Sequence, residues 1–202
     1  MKQVEGYVER ITYRNEDNGY SVIYLSNPEP KADEDDEVCC VGFFSFVSEG
    51  EYLVINGRET VHKSYGPQIQ VESYETKRPS SQVAIEKYLG SGAIKGIGAA
   101  LAARIVRRFG EKTFEIIENE PERLAEIKGI SMKMAVSVAK QFNDKRQMRQ
   151  SVIFLQEYGI SVNMAVKIYK FYGEKIYEIM QQNPYRLAED IAGIGFKIAD
   201  TI

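Results

Sequence analysis

The spacing of apolar residues changes from an alternating pattern to a helical one near residue 80. Before that point, five short runs are rich in β-branched and aromatic residues, and turn residues separate them. Residues 27–37, which hold two prolines and an acidic run, are predicted to form an exposed loop. The pattern favours a small closed barrel of the OB type, with an SH3-like barrel as the alternative. The predicted strands cover residues 5–13, 20–25, 38–44, 51–61 and 68–76.

The residues after 79 are predicted to be entirely helical. Ser80 or Ser81 can cap a first helix over residues 83–89. Beyond it, the pattern Gly-Ile-(Gly or Ser)-x-x-apolar-Ala occurs four times, in segments named here hairpins one to four. The second pair repeats the first after 63 residues, with one inserted residue before hairpin four. The hairpins begin at Gly96, Gly129, Gly159 and Gly193.

Each copy of this pattern is typical of a helix-hairpin-helix motif. The first Gly permits a positive φ, and the Ile fills the space between the two helices. The third residue begins the second helix, where the first backbone N–H groups have no acceptor within the helix. Together with the helix dipole they can bind a phosphate, which places a protein on DNA without reading its bases. A purely structural helical repeat is the alternative.

These patterns predict an α+β multidomain chain. Residues 1–79 form a five-stranded OB-like β-barrel, and residues 80–202 form an all-α array of four helix-hairpin-helix motifs in two tandem pairs. Repeat one covers about 80–145 and repeat two about 146–202. Because residue 202 falls within the helix that should complete hairpin four, we expect the chain to be a piece of a longer protein.

Charge distinguishes the hairpins from one another. Residues 1–79 carry a net charge of −7, whereas residues 94–150 carry +5, the footprint expected for a polyanion partner. Hairpins one and two are therefore the principal candidates, hairpin four is a possible contributor, and hairpin three is expected to be mainly structural. Arg107 and Arg108 are also spaced to pair with Glu111 or Glu115 on one helix face. The predicted DNA-backbone contacts are Lys95, Gly96, Ile97, Gly98, Arg104, Lys128, Gly129, Ile130, Ser131, Lys133, Gly193, Gly195 and Lys197.

Other candidate chemistry is sparse. The adjacent Cys39 and Cys40 are interpreted as alternating inward and outward positions on a strand, and His62 as a surface or strand histidine. The segment from Gly110 to Thr113 lacks the Gly-Lys adjacency of a phosphate-binding loop. No catalytic constellation or metal site is predicted. The barrel aromatics, interpreted as core or interface residues with base stacking as the alternative, are Tyr7, Tyr13, Tyr20, Tyr24, Phe43, Phe44 and Phe46.

Several motifs together resemble the N-terminal region of the RecD-like (RecD/TraA-type) bacterial ATP-dependent DNA helicases, in the branch that acts without RecB and RecC. The resemblance covers essentially the whole chain. It implies two RecA-like motor domains outside this chain, which hydrolyse ATP and move 5′→3′ on single-stranded DNA. The motifs are the runs 16–20 (EDNGY), 88–92 (YLGSG), 94–98 (IKGIG), 183–187 (NPYRL) and 193–200 (GIGFKIAD).

The resulting expectation is a DNA-binding accessory region of a helicase in DNA repair or recombination. It would hold the backbone of duplex or forked DNA without sequence preference. No cofactor is expected in this fragment, whereas the full-length protein would need ATP and Mg²⁺. The bacterial cytoplasm, in association with the nucleoid, is the expected location. The alternatives are a module whose acidic barrel docks a replication or repair protein, and a RuvA-like junction binder.

Overall fold

The structure, a computed structural model, describes residues 1–15, 18–29, 37–44 and 46–195, with the backbone alone at 27–29. Five strands are followed by a helical region. The strands are β1 (Lys2–Arg14), β2 (Tyr20–Glu29), β3 (Glu37–Phe43), β4 (Tyr52–His62) and β5 (Gly66–Lys77). The helices are α1 (Gln82–Tyr88), α2 (Ala99–Phe109), α3 (Thr113–Asn119), α4 (Met132–Glu157), α5 (Val162–Tyr172), α6 (Ile176–Gln182) and α7 (Arg186–Asp190). A π-helical turn covers Leu89–Ala93, and 3-10 turns cover Gly110–Lys112, Pro121–Glu126 and Gly173–Lys175.

The five strands close into a barrel in the order β1-β2-β3-β5-β4. All neighbouring strands are antiparallel except β3 and β5, which are parallel. This topology confirms the OB prediction over the SH3-like alternative. Alternation along β2 fills the interior, because Ile23 and Leu25 are fully buried while Tyr20 lies on the outer surface. The aliphatic core that results holds the barrel together.

The predicted loop over residues 27–37 was wrong at both ends. Strand β2 continues to Glu29, and β3 already begins at Glu37. The long β1 supplies partners for the extension, since Glu5 pairs with Glu29. A register shift between Glu5 and Tyr7 interrupts the regular ladder next to Pro28, where a residue without an N–H is tolerated. Residues 30–36 lie outside the described residues.

The chain forms two compact units, residues 1–142 and 143–202. In the first unit, the predicted cap of α1 is confirmed, because Ser81 Oγ accepts from the Ala84 N–H at 3.2 Å. The barrel packs tightly on this helix. A Cβ on Gly50, whose φ is +84°, would lie 2.4 Å from the backbone nitrogen of Tyr88. Lys87 on α1 also forms an ion pair with Glu9 on β1.

Both helical repeats contain buried aliphatic residues. In the first unit they form a core that includes Ile94, Ile97, Ile105, Leu124 and Ile130. In the second unit the residues exposed by no more than 2 % include Leu155, Ile160, Ile168, Ile176 and Leu187. The alanine four residues after the third position of the pattern is fully buried in hairpins one to three, as predicted for close helix packing, at Ala102, Ala135 and Ala165.

Candidate nucleic-acid interface

Hairpins one, two and four share one turn geometry. In each, the first glycine has a φ between 94° and 102°, in the left-handed region that favours glycine. The N–H of the following isoleucine donates to the carbonyl oxygen three residues earlier, at 3.0–3.3 Å. The isoleucine side chains, each no more than 6 % exposed, anchor the turns in the core. These isoleucines are Ile97, Ile130 and Ile194, so the predicted contacts Ile97 and Ile130 support the turn from within the core rather than facing solvent.

Hairpin three is built differently. Its glycine lies two residues after the last residue of the long helix α4, so the turn of hairpin three is also the C-terminal end of that helix. Gly159 has a φ of 74°, its N–H donates to Gln156, and the N–H of Ile160 donates to Leu155 at 3.3 Å. This pair of bonds is the Schellman pattern that terminates helices. The glycine is therefore accounted for by helix termination alone.

Of the three hairpins whose second helix the structure describes, hairpin one has the most open helix start. Gly98 is the N-cap of α2 with a φ of −96° and a ψ of 176°, and it provides no side-chain cap. The first helical bond runs from the Ala102 N–H to the Gly98 carbonyl at 2.9 Å. Among the described residues, the N–H groups of residues 98–101 have no acceptor. A Cβ on Gly98 would meet no atom within 4 Å, so the approach to these groups is open.

Hairpin two is capped by its own serine. Ser131 Oγ accepts from the Met134 N–H at 3.2 Å, which leaves the N–H groups of residues 131–133 without an acceptor in the described part of the chain. Ser161 caps hairpin three in the same way, with Met164 as the donor. In hairpin four, the space around Gly195 is open, but Lys197 lies outside the described residues.

Exposed lysines accompany the first two hairpins. Lys95, Lys128 and Lys133 are exposed, and none forms an ion pair with a described carboxylate. Arg108 behaves differently, because it pairs with Glu126 at 2.8 Å rather than with the predicted Glu111 or Glu115. The hydrogen bond from Arg108 is the largest cause that lowers the pKa of Glu126.

Two residues link hairpin one to hairpin two. Arg104, predicted to contact DNA, is exposed but donates from Nη1 to the Lys128 carbonyl oxygen at 3.0 Å. Gln141 on α4 bonds both backbone groups of Lys95. Gln141 was not predicted, since a residue 46 positions away has no periodic relation to the hairpin.

The barrel aromatics divide into two groups. Phe44 is fully buried, and Tyr7 packs edge-on against Tyr52 with ring centroids 4.9 Å apart. Tyr20 and Phe43 are exposed and form an edge-to-face pair with centroids 5.5 Å apart. Tyr13 is also exposed. The first group contributes to packing, and the second leaves ring surface at solvent.

The remaining candidates have structural explanations. The Thr113 hydroxyl is buried and donates to the Gly110 carbonyl at 2.6 Å, so this segment is a helix-linking turn rather than a phosphate loop. Cys40 points into the barrel core and Cys39 is half-buried, as predicted for neighbours on a strand. His62 is exposed at the end of β4, also as predicted. In the described segments, no His, Cys, Asp and Glu side chains cluster to hold a metal, and no helix has the length and apolarity to cross a membrane.

A closed OB barrel followed by helix-hairpin-helix repeats defines a class of nucleic-acid-associated protein. Family comparison gives the particular family. Residues 1–79 match the OB-fold domain of the ATP-dependent DNA helicase YrrC, and residues 84–146 and 144–202 each match the helix-hairpin-helix domain of ATP-dependent RecD2 DNA helicases. The chain belongs to this RecD2 helicase family, which confirms the predicted resemblance.

Individual proteins give a consistent result. The chain is 23% identical over 202 residues to the ATP-dependent RecD2 DNA helicase of Deinococcus radiodurans. The match covers 99% of this chain but 28% of that protein. A chain in the crystal structure of the S. pombe Stn1–Ten1 complex is 19% identical, with coverage of 38% of this chain and 57% of that one. Its TM-score of 0.29 is too low to bear on function.

Proposed function

We propose that this region binds the DNA backbone through hairpins one and two, as an accessory region of an ATP-dependent DNA helicase. The observation that carries the proposal is the start of α2. There, four consecutive N–H groups have no acceptor among the described residues, the space next to Gly98 is open, and Lys95 nearby in the sequence is exposed. The positive end of a helix favours an anion, and the absent side chain at Gly98 lets a phosphate oxygen reach the amides.

The charge distribution supports a polyanionic ligand at the first hairpin pair. Residues 94–150 carry +5, whereas the barrel residues 1–79 carry −7. The barrel would repel a phosphate backbone, so the field steers DNA toward the hairpins. Contacts of this kind read no base edges, so we expect binding without sequence preference, on duplex or forked DNA alike.

The family favours this function over the two alternatives. Both parts of the chain match domains of one helicase family, whereas the RuvA-like interpretation requires a junction-binding protein. A partner-docking barrel is likewise not favoured by these matches. A role of the parent protein in DNA repair or recombination, near the bacterial nucleoid, is part of the proposal.

Helicase activity itself belongs to the parent protein in this proposal. The relative from Deinococcus radiodurans is much longer, since the match covers 28% of it. The present sequence contains no Gly-x-x-x-x-Gly-Lys-(Ser or Thr) loop, the motif that cradles the phosphates of ATP in motor domains of this kind. We propose that the motor domains of the parent bind both and move along single-stranded DNA in the 5′→3′ direction.

The salt dependence of DNA binding tests the proposal. Fluorescence anisotropy with a labelled forked duplex should give a linear fall of log affinity with log salt, by about 0.9 per phosphate neutralised. The double variant Lys95→Gln/Lys128→Gln should flatten that slope by about 1.8, for two lost contacts. The matched control, Lys63→Gln/Lys175→Gln, removes the same charge from two other exposed positions and should leave the slope unchanged. Equal slopes for both double variants would contradict the proposal.

A further inference from the structure

Hairpins one and two brace each other through reciprocal hydrogen bonds. From the helix that follows hairpin one, Arg104 Nη1 donates to the Lys128 carbonyl oxygen at 3.0 Å. From the helix that follows hairpin two, Gln141 Oε1 accepts from the Lys95 N–H at 2.8 Å. The Gln141 Nε2 also donates to the Lys95 carbonyl oxygen at 3.1 Å. Each hairpin is thus held by the helix of the other.

Apolar contacts repeat the same reciprocity. The residue five positions after each hairpin glycine reaches the opposite glycine. A Cβ on Gly96 would lie 3.5 Å from Met134 Cε, and a Cβ on Gly129 would lie 3.3 Å from Leu101 Cδ2. The second helix of each hairpin therefore contacts the glycine turn of the other hairpin, through an apolar side chain as well as through a hydrogen bond.

The side-chain amide of Gln141 bonds the backbone of Lys95 in the way that the peptide group of a neighbouring strand would, because it both accepts and donates a hydrogen bond. Its oxygen and nitrogen satisfy both backbone groups of one residue, which fixes the orientation of the turn that leads to Gly98. That orientation determines where the N–H groups of residues 98–101 point. Anion binding depends on such alignment, because hydrogen bonds weaken steeply as their angles depart from linearity.

We propose that Gln141 and Arg104 are positioning residues that couple the two hairpins into one DNA-binding unit. This inference rests on the proposed function, since it concerns the same two sites. In this proposal, Arg104 supports DNA binding mainly by fixing the backbone of Lys128 in hairpin two. Gln141 supports it by fixing the backbone of Lys95 before hairpin one, without contacting DNA itself. Substitution of Gln141 should therefore weaken DNA binding at hairpin one, and substitution of Arg104 should weaken it at hairpin two.

Hydrogen exchange in the unaltered 202-residue chain tests the Gln141 brace directly. Within the described part of the chain, the acceptor of the Lys95 N–H is the Gln141 side chain, so this exposed-loop amide should exchange at least about tenfold more slowly than an unprotected amide. Exchange at the unprotected rate would overturn the inference. This measurement needs no variant and no DNA, so it is independent of the proposed function.

DNA affinity tests the coupling. Gln141→Met keeps the side-chain length but removes both hydrogen bonds, and we expect about fivefold to tenfold weaker binding to the forked duplex. Gln150→Met is the matched control, because Gln150 is an exposed glutamine on the same helix α4. Equal affinities of the two variants, with the wild-type chain binding DNA, would overturn the inference alone. No binding by the wild-type chain would instead overturn the proposed function.

A charge-preserving pair of variants separates geometry from charge at Arg104. Lysine lacks the planar fork of arginine, so Arg104→Lys keeps the charge but loses the fixed bond to the Lys128 carbonyl. Arg107→Lys is the control, one turn further along the same exposed helix face. We expect a loss of about threefold to tenfold for Arg104→Lys and none for Arg107→Lys. Wild-type affinity in Arg104→Lys would overturn its positioning role.

Discussion

Replacing Gly98 with Asp should stabilise the fold and weaken DNA binding in the same molecule. The backbone at Gly98, with a φ of −96° and a ψ of 176°, is accessible to any residue. A Cβ built there would meet no atom within 4 Å. An Asp carboxylate can accept from the Leu101 N–H, as the Ser131 hydroxyl already accepts from Met134 in hairpin two. The same carboxylate would lie where a phosphate is proposed to bind.

The two effects have opposite signs and different sizes. Exchanging Gly for Asp at an N-cap and placing a negative charge at the helix start together stabilise by about 0.5–1 kcal/mol. For a chain of this size that gain corresponds to a rise in Tm of about 1–4 °C. The loss of a hydrogen bond to a charged phosphate costs about 2 kcal/mol, or roughly thirtyfold in affinity. Charge repulsion adds to that loss at low salt.

Thermal denaturation and anisotropy of one protein preparation measure both effects. Ser161→Asp is the matched control, because it places the same carboxylate at the N-cap of α5, the second helix of hairpin three, where no phosphate is proposed to bind. Its affinity should stay within about twofold of wild type. Wild-type affinity in Gly98→Asp would refute the phosphate site at α2. Equal losses in both variants would show that added charge, rather than an occupied site, weakens binding.

Three further outcomes follow from the structure. The hydrogen bond from Lys87 lowers the pKa of Glu9, so Glu9→Gln should reduce the free energy of unfolding by less than about 1 kcal/mol at pH 7. In urea titrations, the difference between the two proteins should disappear as the pH falls below 4.5, the ordinary pKa of Glu, and then below the lower pKa of Glu9 in the folded chain. A difference that persists at pH 2 would contradict a stabilising role of the ionised Glu9. Burial raises the pKa of both Cys39 and Cys40, so a thiol reagent at pH 8 should modify Cys39 slowly and Cys40 only on unfolding; rapid modification of both would be inconsistent with the barrel core. Arg78→Met removes a guanidinium that lies 4.6 Å from the centroid of the Phe114 ring and pairs with Glu118. Chemical denaturation should then show a free energy of unfolding lower by about 1 kcal/mol, and an unchanged midpoint would contradict a stabilising role of this contact.

Much of the fold could be predicted because it depends on local periodicity. The alternating pattern of the first 79 residues predicts five strands, and the repeated Gly-Ile pattern predicts the turns that precede α2 and α4. The N-cap at Ser81 could also be predicted, since the N–H that it accepts from lies three residues away. All of these features are determined by residues that are close together in the sequence.

The remaining features depend on residues far apart in the sequence. The brace from Gln141 to Lys95 spans 46 positions, and the bond from Arg104 to Lys128 spans 24. Neither has a periodic signal, because a surface glutamine or arginine on a helix has many possible partners. The extension of β2 past Pro28 was missed for a similar reason, since it depends on pairing with β1 rather than on its own turn-forming residues.

Amide NMR of the 202-residue chain, titrated with a short DNA duplex, tests most directly whether DNA is held by helix starts. The amides of residues 98–101 and 131–133, which have no acceptor among the described residues, should then show the largest shifts, whatever the duplex sequence. The amides of hairpin three at residues 159–161 should change little. Largest shifts at Tyr13, Tyr20 and Phe43 on the barrel, with the starts of α2 and α4 unaffected, would contradict binding by the hairpins.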